Sequence, residues 1–578
     1  MSLSGKQKFL ALSYTWGNPV DELYPSSPAA GIVEDHILCS GYRLAVTQNL
    51  HAALWQLREK REYSRLWVDA ICINQKDDKE VNRQLSLMPC IYRDASWVVI
   101  WLGKADAITH EAIQTLSDLQ FRERLIPSAL MAPRPAAASL DFLSQRQQQV
   151  FTLFFRRTWF GRVWTLQEVI LAKNTRCFCG PDEFDIGDAS ICASILLRTH
   201  SETHKLIDGR VLLDSLGGAA CISAWLSLTW PGVGFGSRAL LRYRKIDFEE
   251  QVSRTLKWFT ALELLVHEAR QRNCTQPGDK VLAPLAMALH DDFIPKTTDF
   301  STIVSEAQTV LDCRLPASEL HTKFTRFIVD GMSSLDILSR VQGDDSQNST
   351  ARELGLPSWV PQYQQAGTTS LIDDLLFTQY NAAKHLGPYC RAENDQGDTA
   401  ELRVRAIVLG PVVQISSHDA PCDTIPAWFS HVWKSARYKQ ELEQDIRRDL
   451  VHAVTQRLQA RLESAIEREI TMNKKREEYL KYHLSAFAMV QLNTTVLPKS
   501  PRRLFLFHLC GQHMFGLAPS TSRESDHLCI LRGASTPFIV RETPERDKYT
   551  LVGEALAENF MRGEVESLNF SGREIVLV

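Results

Sequence analysis

The 578-residue chain has no Cys-x-x-Cys pair among its 13 cysteines, and Cys177 and Cys179 are the closest two. Zinc sites and disulfide frameworks need thiols or imidazoles clustered at short spacing, so neither is expected; the simplest reading is reduced thiols in a cytoplasmic protein. No apolar run reaches the roughly 18 residues of a membrane-spanning helix, and the opening MSLSGKQKFLALSYTWG lacks the apolar centre of a signal peptide. There is no GxxxxGK[ST] loop, no glycine-rich dinucleotide fingerprint and no solenoid-length repeat. A nucleotide-driven receptor with a repeat sensor and a tightly held redox nucleotide are therefore not expected. Charge of one sign is also scarce: 65 basic against 68 acidic residues leave a net charge of −3. No global field draws the chain to nucleic acid or to an anionic membrane.

What is present is an ordinary globular composition, 44% hydrophobic and 23% charged, at a length that suggests about three or four domains. Phe9–Tyr14 (FLALSY) reads as a buried strand running into the turn Trp16-Gly17-Asn18-Pro19. His36–Val46 reads as a hairpin turning at Ser40-Gly41, and Thr47 caps a helix over 48–60. Leu66–Gln75 (LWVDAICINQ) reads as a strand interrupted by Asp69 and closed by Asn74-Gln75. A carboxylate in such a strand must be paired or hydrogen-bonded, because desolvating it alone costs several kcal/mol, on the order of a whole domain's net stability. A polar helix over 77–87 follows, with Pro89 expected to kink or end it. Ala95–Gly103 and Thr175–Gly180 are further strands, so the first 185 residues alternate strand and helix as a parallel α/β sheet does.

Arg156–Ala172 (RRTWFGRVWTLQEVILA) reads as one helix whose aromatic face carries Arg162, Gln167 and Glu168. Trp164 and Glu168 stand four apart and share that face. The carboxylate is either a paired structural charge or a functional group in a cleft.

Beyond it, residues 186–345 read as mainly helical, and 346–435 as a connector containing the rigid strap Leu356–Tyr363 (LPSWVPQY). Residues 436–491 read as one long helix or a helix pair, with apolar residues every four positions. Residues 500–578 read as a small β-barrel or sandwich. A Pro/Ala-rich stretch over 127–138 and a polar stretch over 343–350 read as a surface loop and a linker.

Three blocks in order resemble the heterokaryon-incompatibility (HET) domain of filamentous fungi: ALSYTWG (11–17), LWVDAICINQ (66–75) and RTWFGRVWTLQE (157–168), with VVIWLG (98–103) between the last two. The resemblance covers about residues 8–185; RNCTQPGDKV and LPSWVPQY resemble the companion region, although Gly278 stands where arginine is usual before Asp279. HET domains in turn look like relatives of TIR domains, which have a flavodoxin-like sheet. Some TIR domains cleave NAD with the glutamate of a W-x-x-x-E helix, the form of Trp164–Glu168 here.

That resemblance implies a TIR-like, flavodoxin-like parallel sheet, with Glu168 and Asp69 as the catalytic pair. Ser13, Tyr14, Trp16, Asn74, Gln75, Arg162, Trp164 and Gln167 are its implied substrate-binding residues. NAD enters as a substrate and not as a cofactor, and no metal is implied. Three functions stand open: a heterokaryon-incompatibility, cell-death protein that cleaves NAD; a non-enzymatic module that acts by self-association; and a small-molecule enzyme of fungal secondary metabolism on the same scaffold.

Overall fold

The computed structural model describes residues 8–20, 34–59, 65–118, 144–193 (bar 191), 254–290 (bar 271), 300–341, 354–364, 381–391 (bar 384–385), 400–415 and 502–578 (bar 510–511, 558–559, 562 and 566–571). The chain packs as two compact units, Met1–Leu240 with Leu264–Pro316, and Leu241–Glu263 with Ala317–Val578. The expected loop at 127–138, linker at 343–350 and long helix at 436–491 lie outside the described residues.

In the first unit the elements run β1 (Leu10–Tyr14), β2 (Glu34–Cys39), β3 (Tyr42–Thr47), α1 (Gln48–Glu59), β4 (Leu66–Trp67), α2 (Asp69–Cys72), α3 (Asp78–Asp94), β5 (Trp97–Trp101), α4 (Ala107–Ser117), α5 (Gln145–Phe154), α6 (Thr165–Ile170), β6 (Thr175–Cys179) and β7 (Asp182–Phe184). The hairpin β2–β3 stands apart as its own two-stranded sheet, with Ser40 and Gly41 at positive φ in its turn. The main sheet has the order β4-β1-β5-β6-β7, parallel except for β7. Counting its strands along the chain gives 2-1-3-4-5, the flavodoxin-like order, whose switch point lies between β1 and β5.

Pleating decides what β1 presents to each side. Leu10, Leu12 and Tyr14 pack with Leu50, Ala53 and Leu57 of α1, together with Val99, Trp101 and Phe178. Ala11 packs on the opposite face, with Val98 and Ile100 of β5, Met88 and Tyr92 of α3, and Phe151 and Phe154 of α5. Ser13 follows Ala11 by two positions and so faces that second layer, where Trp159 and α6 lie.

Three local expectations are corrected. The strand at 66–75 ends at Trp67, and Asp69 opens α2; the strand stops before the charge that would have had to be buried in it. Helix α3 runs through Pro89 without ending, because Met88, Ile91 and Tyr92 are buried and hold its second half against the sheet. The stretch 156–172 is a 3-10 turn, Thr158–Gly161, then an extended Arg162, then the six-residue α6. Arg162 forms a parallel bridge with Asn273, and the Asn273 carbonyl accepts from the Val163 N–H at 3.0 Å. Backbone pairing from outside thus takes the groups that a continuous helix would have used internally.

The remaining helices are α7 (Arg254–Ala269), α8 (Asp279–Ala288), α9 (Phe300–Val310) and α10 (Ala317–Met332). The second unit carries β8 (Leu402–Ile415), β9 (Arg502–Leu509), β10 (Gln512–Pro519), β11 (His527–Leu531), β12 (Phe538–Glu542), β13 (Lys548–Glu554), β14 (Leu556–Ala557) and β15 (Arg573–Leu577). Strands β11-β12-β13-β15-β8 close on themselves through a β11–β8 pairing, which resolves the barrel-or-sandwich expectation as a barrel. β8 achieves this by length: its 14 residues pair with β15 at one end, β11 in the middle and β9 at the other. It lies in the stretch read from sequence as a connector. The LPSWVPQY strap is non-helical as expected, with the Trp359 indole donating to the Ala400 carbonyl at 3.1 Å.

Within the same unit Arg340 donates to Glu263 at 2.8 Å, and both side chains are almost wholly buried. Removing one partner of such a pair strands the other charge in the interior. Glu263→Ala is therefore expected to lower stability by about 3–5 kcal/mol in urea denaturation, far more than an exposed pair such as Arg146–Glu111 would lose.

Candidate functional site

The site lies where β1 and β4 end, beside the switch point of the sheet, the usual position for a ligand crevice in an open α/β fold. Its centre is Glu168 of α6, which is 6% exposed. Trp159, fully buried, donates its indole N–H to the Ser13 hydroxyl at 2.8 Å, and that hydroxyl donates to Glu168 Oε2. The donors thus point in one direction and end on the carboxylate. Tyr92 stands beside it, its hydroxyl 3.5 Å from the Leu12 carbonyl and its ring edge-on to Trp67.

Asp69, half-buried, accepts from the Trp16 indole N–H at 2.7 Å and from the Ala70 N–H at 2.7 Å. Arg162 donates to the Tyr14 carbonyl at 2.8 Å, which brings its guanidinium to Glu168 and Asp69. The extended backbone at Arg162 is what swings the side chain to β1; in a continuous helix it would project elsewhere. Around these groups Asn49 ties the strand ends together, donating to the Thr15 carbonyl at 2.8 Å and accepting from Trp101 at 2.9 Å.

Burial dominates the electrostatics. It pushes the Glu168 carboxyl up to about 7, against the Ser13 donor and Arg162, which pull it down. Asp69 is raised as well, mainly by burial, with the Trp16 and Ala70 donors opposing. Burial raises the Tyr14 phenol too, and its hydroxyl faces Asp69 without completing a hydrogen bond.

Of the residues expected in the site, Glu168, Asp69, Ser13, Tyr14, Trp16 and Arg162 come together. Trp164 caps α6 and, like Cys274, packs against the buried group Val163, Ala269 and Ala283, flanking the cluster. Gln167 is buried but turned to α3, its amide 3.9 Å from the Met88 sulfur. Asn74 and Gln75 are exposed, and Gln75 reaches the cluster through the Asp69 carbonyl at 3.2 Å. Sequence reading set Trp159 beside Glu168 without giving it a role, and it missed Tyr92, which looks like an ordinary core aromatic in the sequence. Among the described residues no cluster has the makings of a metal site.

Because the folded state raises the Glu168 carboxyl from 4.5 to about 7, it holds a proton that the unfolded chain releases. The associated stability is fully present below about pH 4.5 and is lost as pH rises through 7, on the order of 3 kcal/mol in all. Glu168→Gln removes that dependence, so the variant is expected to gain stability relative to the parent between pH 5 and pH 8. Urea midpoints at the two pH values check this; an unchanged difference refutes the assignment.

Residues 9–168 match the family model described as heterokaryon incompatibility protein (HET), and residues 434–578 match that of the Het-6 beta-barrel domain. The chain is also similar to heterokaryon incompatibility protein 6, OR allele, of Neurospora crassa, at 24% identity over 97% of this chain and 90% of that protein. No solved structure matches. The first match ends on Glu168 itself, and the second contains every barrel strand except β8. With both modules in that order and a relative aligned over nearly the whole of each chain, the chain is a HET-domain protein.

Proposed function

We propose that this protein acts in heterokaryon incompatibility by cleaving NAD at the nicotinamide–ribose bond, with Glu168 as the carboxylate that meets the ribose. The observation that carries the reading is a glutamate shielded from water at the end of the central strand, fed by a directed Trp159–Ser13 donor chain and flanked by Arg162 and Asp69. The W-x-x-x-E resemblance to TIR domains supports the same assignment.

The chemistry asks little of the protein beyond charge and orientation. Nicotinamide leaves as a neutral molecule and needs no general acid. The ribose passes through an oxocarbenium-like state, whose developing positive charge an ionised carboxylate stabilises strongly in a low-dielectric site. Water then takes the anomeric carbon, giving ADP-ribose, nicotinamide and a proton. In this reading Trp16, half-buried and hydrogen-bonded to Asp69, stacks on a ring of the substrate, and Arg162 faces its phosphates.

A second reading, assembly of this unit as the cell-death signal, is favoured by the exposed apolar tip of the β2–β3 hairpin. Leu38 and Tyr42 there are 80% and 79% exposed.

Incubating the purified 578-residue chain with NAD and following nicotinamide release decides between them. Expected is release by the parent that rises with pH through about 7 as Glu168 ionises, and a loss of about a hundredfold or more in Glu168→Gln with the fold intact. No release by the parent, or full activity in the variant, sinks the catalytic reading.

A further inference from the structure

The segment from Ala269 into α8 lies outside residues 9–168, which match the HET model, yet it reaches the stretch that carries Arg162. A helix running unbroken from Thr158 would close the carbonyls of Phe160 and Arg162 internally, on the N–H groups four residues further along. The break at Arg162 undoes that closure, and the Leu166 N–H turns to the Val163 carbonyl at 3.2 Å instead. One side chain from beyond residue 168 takes both released carbonyls. Arg272, 1% exposed, donates from Nη1 to the Arg162 carbonyl at 2.9 Å and to the Phe160 carbonyl at 3.4 Å. The same nitrogen lies 3.3 Å from the Thr165 hydroxyl, which itself donates to the Arg162 carbonyl at 2.8 Å.

The base from which Arg272 reaches is fixed in turn. Lys280 is buried and donates to the Arg270 and Arg272 carbonyls, the first at 2.8 Å. Next to Arg272, the Asn273 backbone bridges Gly161 and Val163.

We propose that Arg272 is a positioning residue of the Glu168 site: by holding the Phe160 and Arg162 carbonyls it keeps the chain extended at Arg162 and so sets that guanidinium at the end of β1. The Arg162 side chain meets the Tyr14 carbonyl at 2.8 Å from a backbone at φ −82° and ψ 141°. Buried carbonyls left without a donor are costly, and without Arg272 the nearest remedy is for the helix to close on itself, which withdraws Arg162 from β1. The proposal rests on the Glu168 site being the functional one, but the first arm of its test uses no catalysis.

Arg272→Met keeps the apolar stem and removes the donors. In the parent, Arg162→Met loses the bond to Tyr14 and lowers the urea midpoint. In an Arg272→Met background that loss is expected to shrink to about half or less, because Arg162 has already left β1. Asn82→Ala breaks a clasp to Asp312 and Cys313 that uses none of these contacts, and it lowers the midpoint equally in both backgrounds. Arg162 and Arg272 losses that simply add overturn the proposal, as does a loss that shrinks equally for Asn82→Ala. Arg272→Gln, too short to span the three acceptors, replaces Arg272→Met should that variant not fold. Failure of both to fold marks Arg272 as a support of the whole unit and overturns the proposal as well. In the second arm, Arg272→Met lowers kcat/KM for nicotinamide release about tenfold, the order of one hydrogen bond to a charged group, and lowers it no further once Arg162→Met is present. An equal loss in that background overturns the proposal. A parent that releases no nicotinamide removes the catalytic reading alone, and the urea midpoints still decide on Arg272.

Discussion

A carboxylate kept from water has to be met by donors, and the first unit is arranged around meeting that of Glu168. The Ser13 hydroxyl reaches it only because β1 alternates, sending Leu12 and Tyr14 to the α1 side and Ala11 and Ser13 to the other. The hydroxyl donates to it only because Trp159 occupies the oxygen's acceptor side. Trp159 in turn is placed by a 3-10 turn whose chain then extends through Arg162, delivering the one cation of the group to the end of β1. Each link follows from the one before, and a break at any of them leaves an ionisable group in the interior without its partner, the costly outcome in a medium of low dielectric.

The arrangement is poised as much as it is stable. Donors and Arg162 pull Glu168 toward ionisation, and burial and Asp69 push it back, leaving it to titrate near neutral pH. A purely structural acid would gain more from complete pairing, such as Asp312 has with Arg314 and Asn82. Perturbed groups of this kind cluster where a protein does chemistry.

Much of this was legible in the residues. Short, mostly apolar runs marked β1 and β5, TRCFCG marked β6, and Ser40-Gly41 marked the hairpin turn. Glu168, Asp69, Ser13, Trp16 and Arg162 all stood out as polar groups or large aromatics in apolar or turn-forming surroundings, and they do converge. What was not legible depended on distant partners. Period alone made 156–172 one helix, and only the pairing of Asn273 with Gly161 and Val163 breaks it. Arg272 carries no local sign of reaching the Arg162 carbonyl, 110 residues earlier in the chain. β8 was hidden for a different reason: a strand that changes partners along its length shows neither clean alternation nor a single apolar run.

That last strand also governs how the second unit comes into being. β8 and β9 are neighbours in the sheet although residues 416–501 lie between them, and the ring closes only when β8 also meets β11 and β15. The pairing is of high contact order, so closing the long loop carries a larger entropy cost than pairing the consecutive strands β11, β12 and β13. During synthesis β8 therefore leaves the ribosome long before any of its partners. The α/β sheet has all its strands by Phe184, whereas the ring of the second unit also needs β15, Arg573–Leu577.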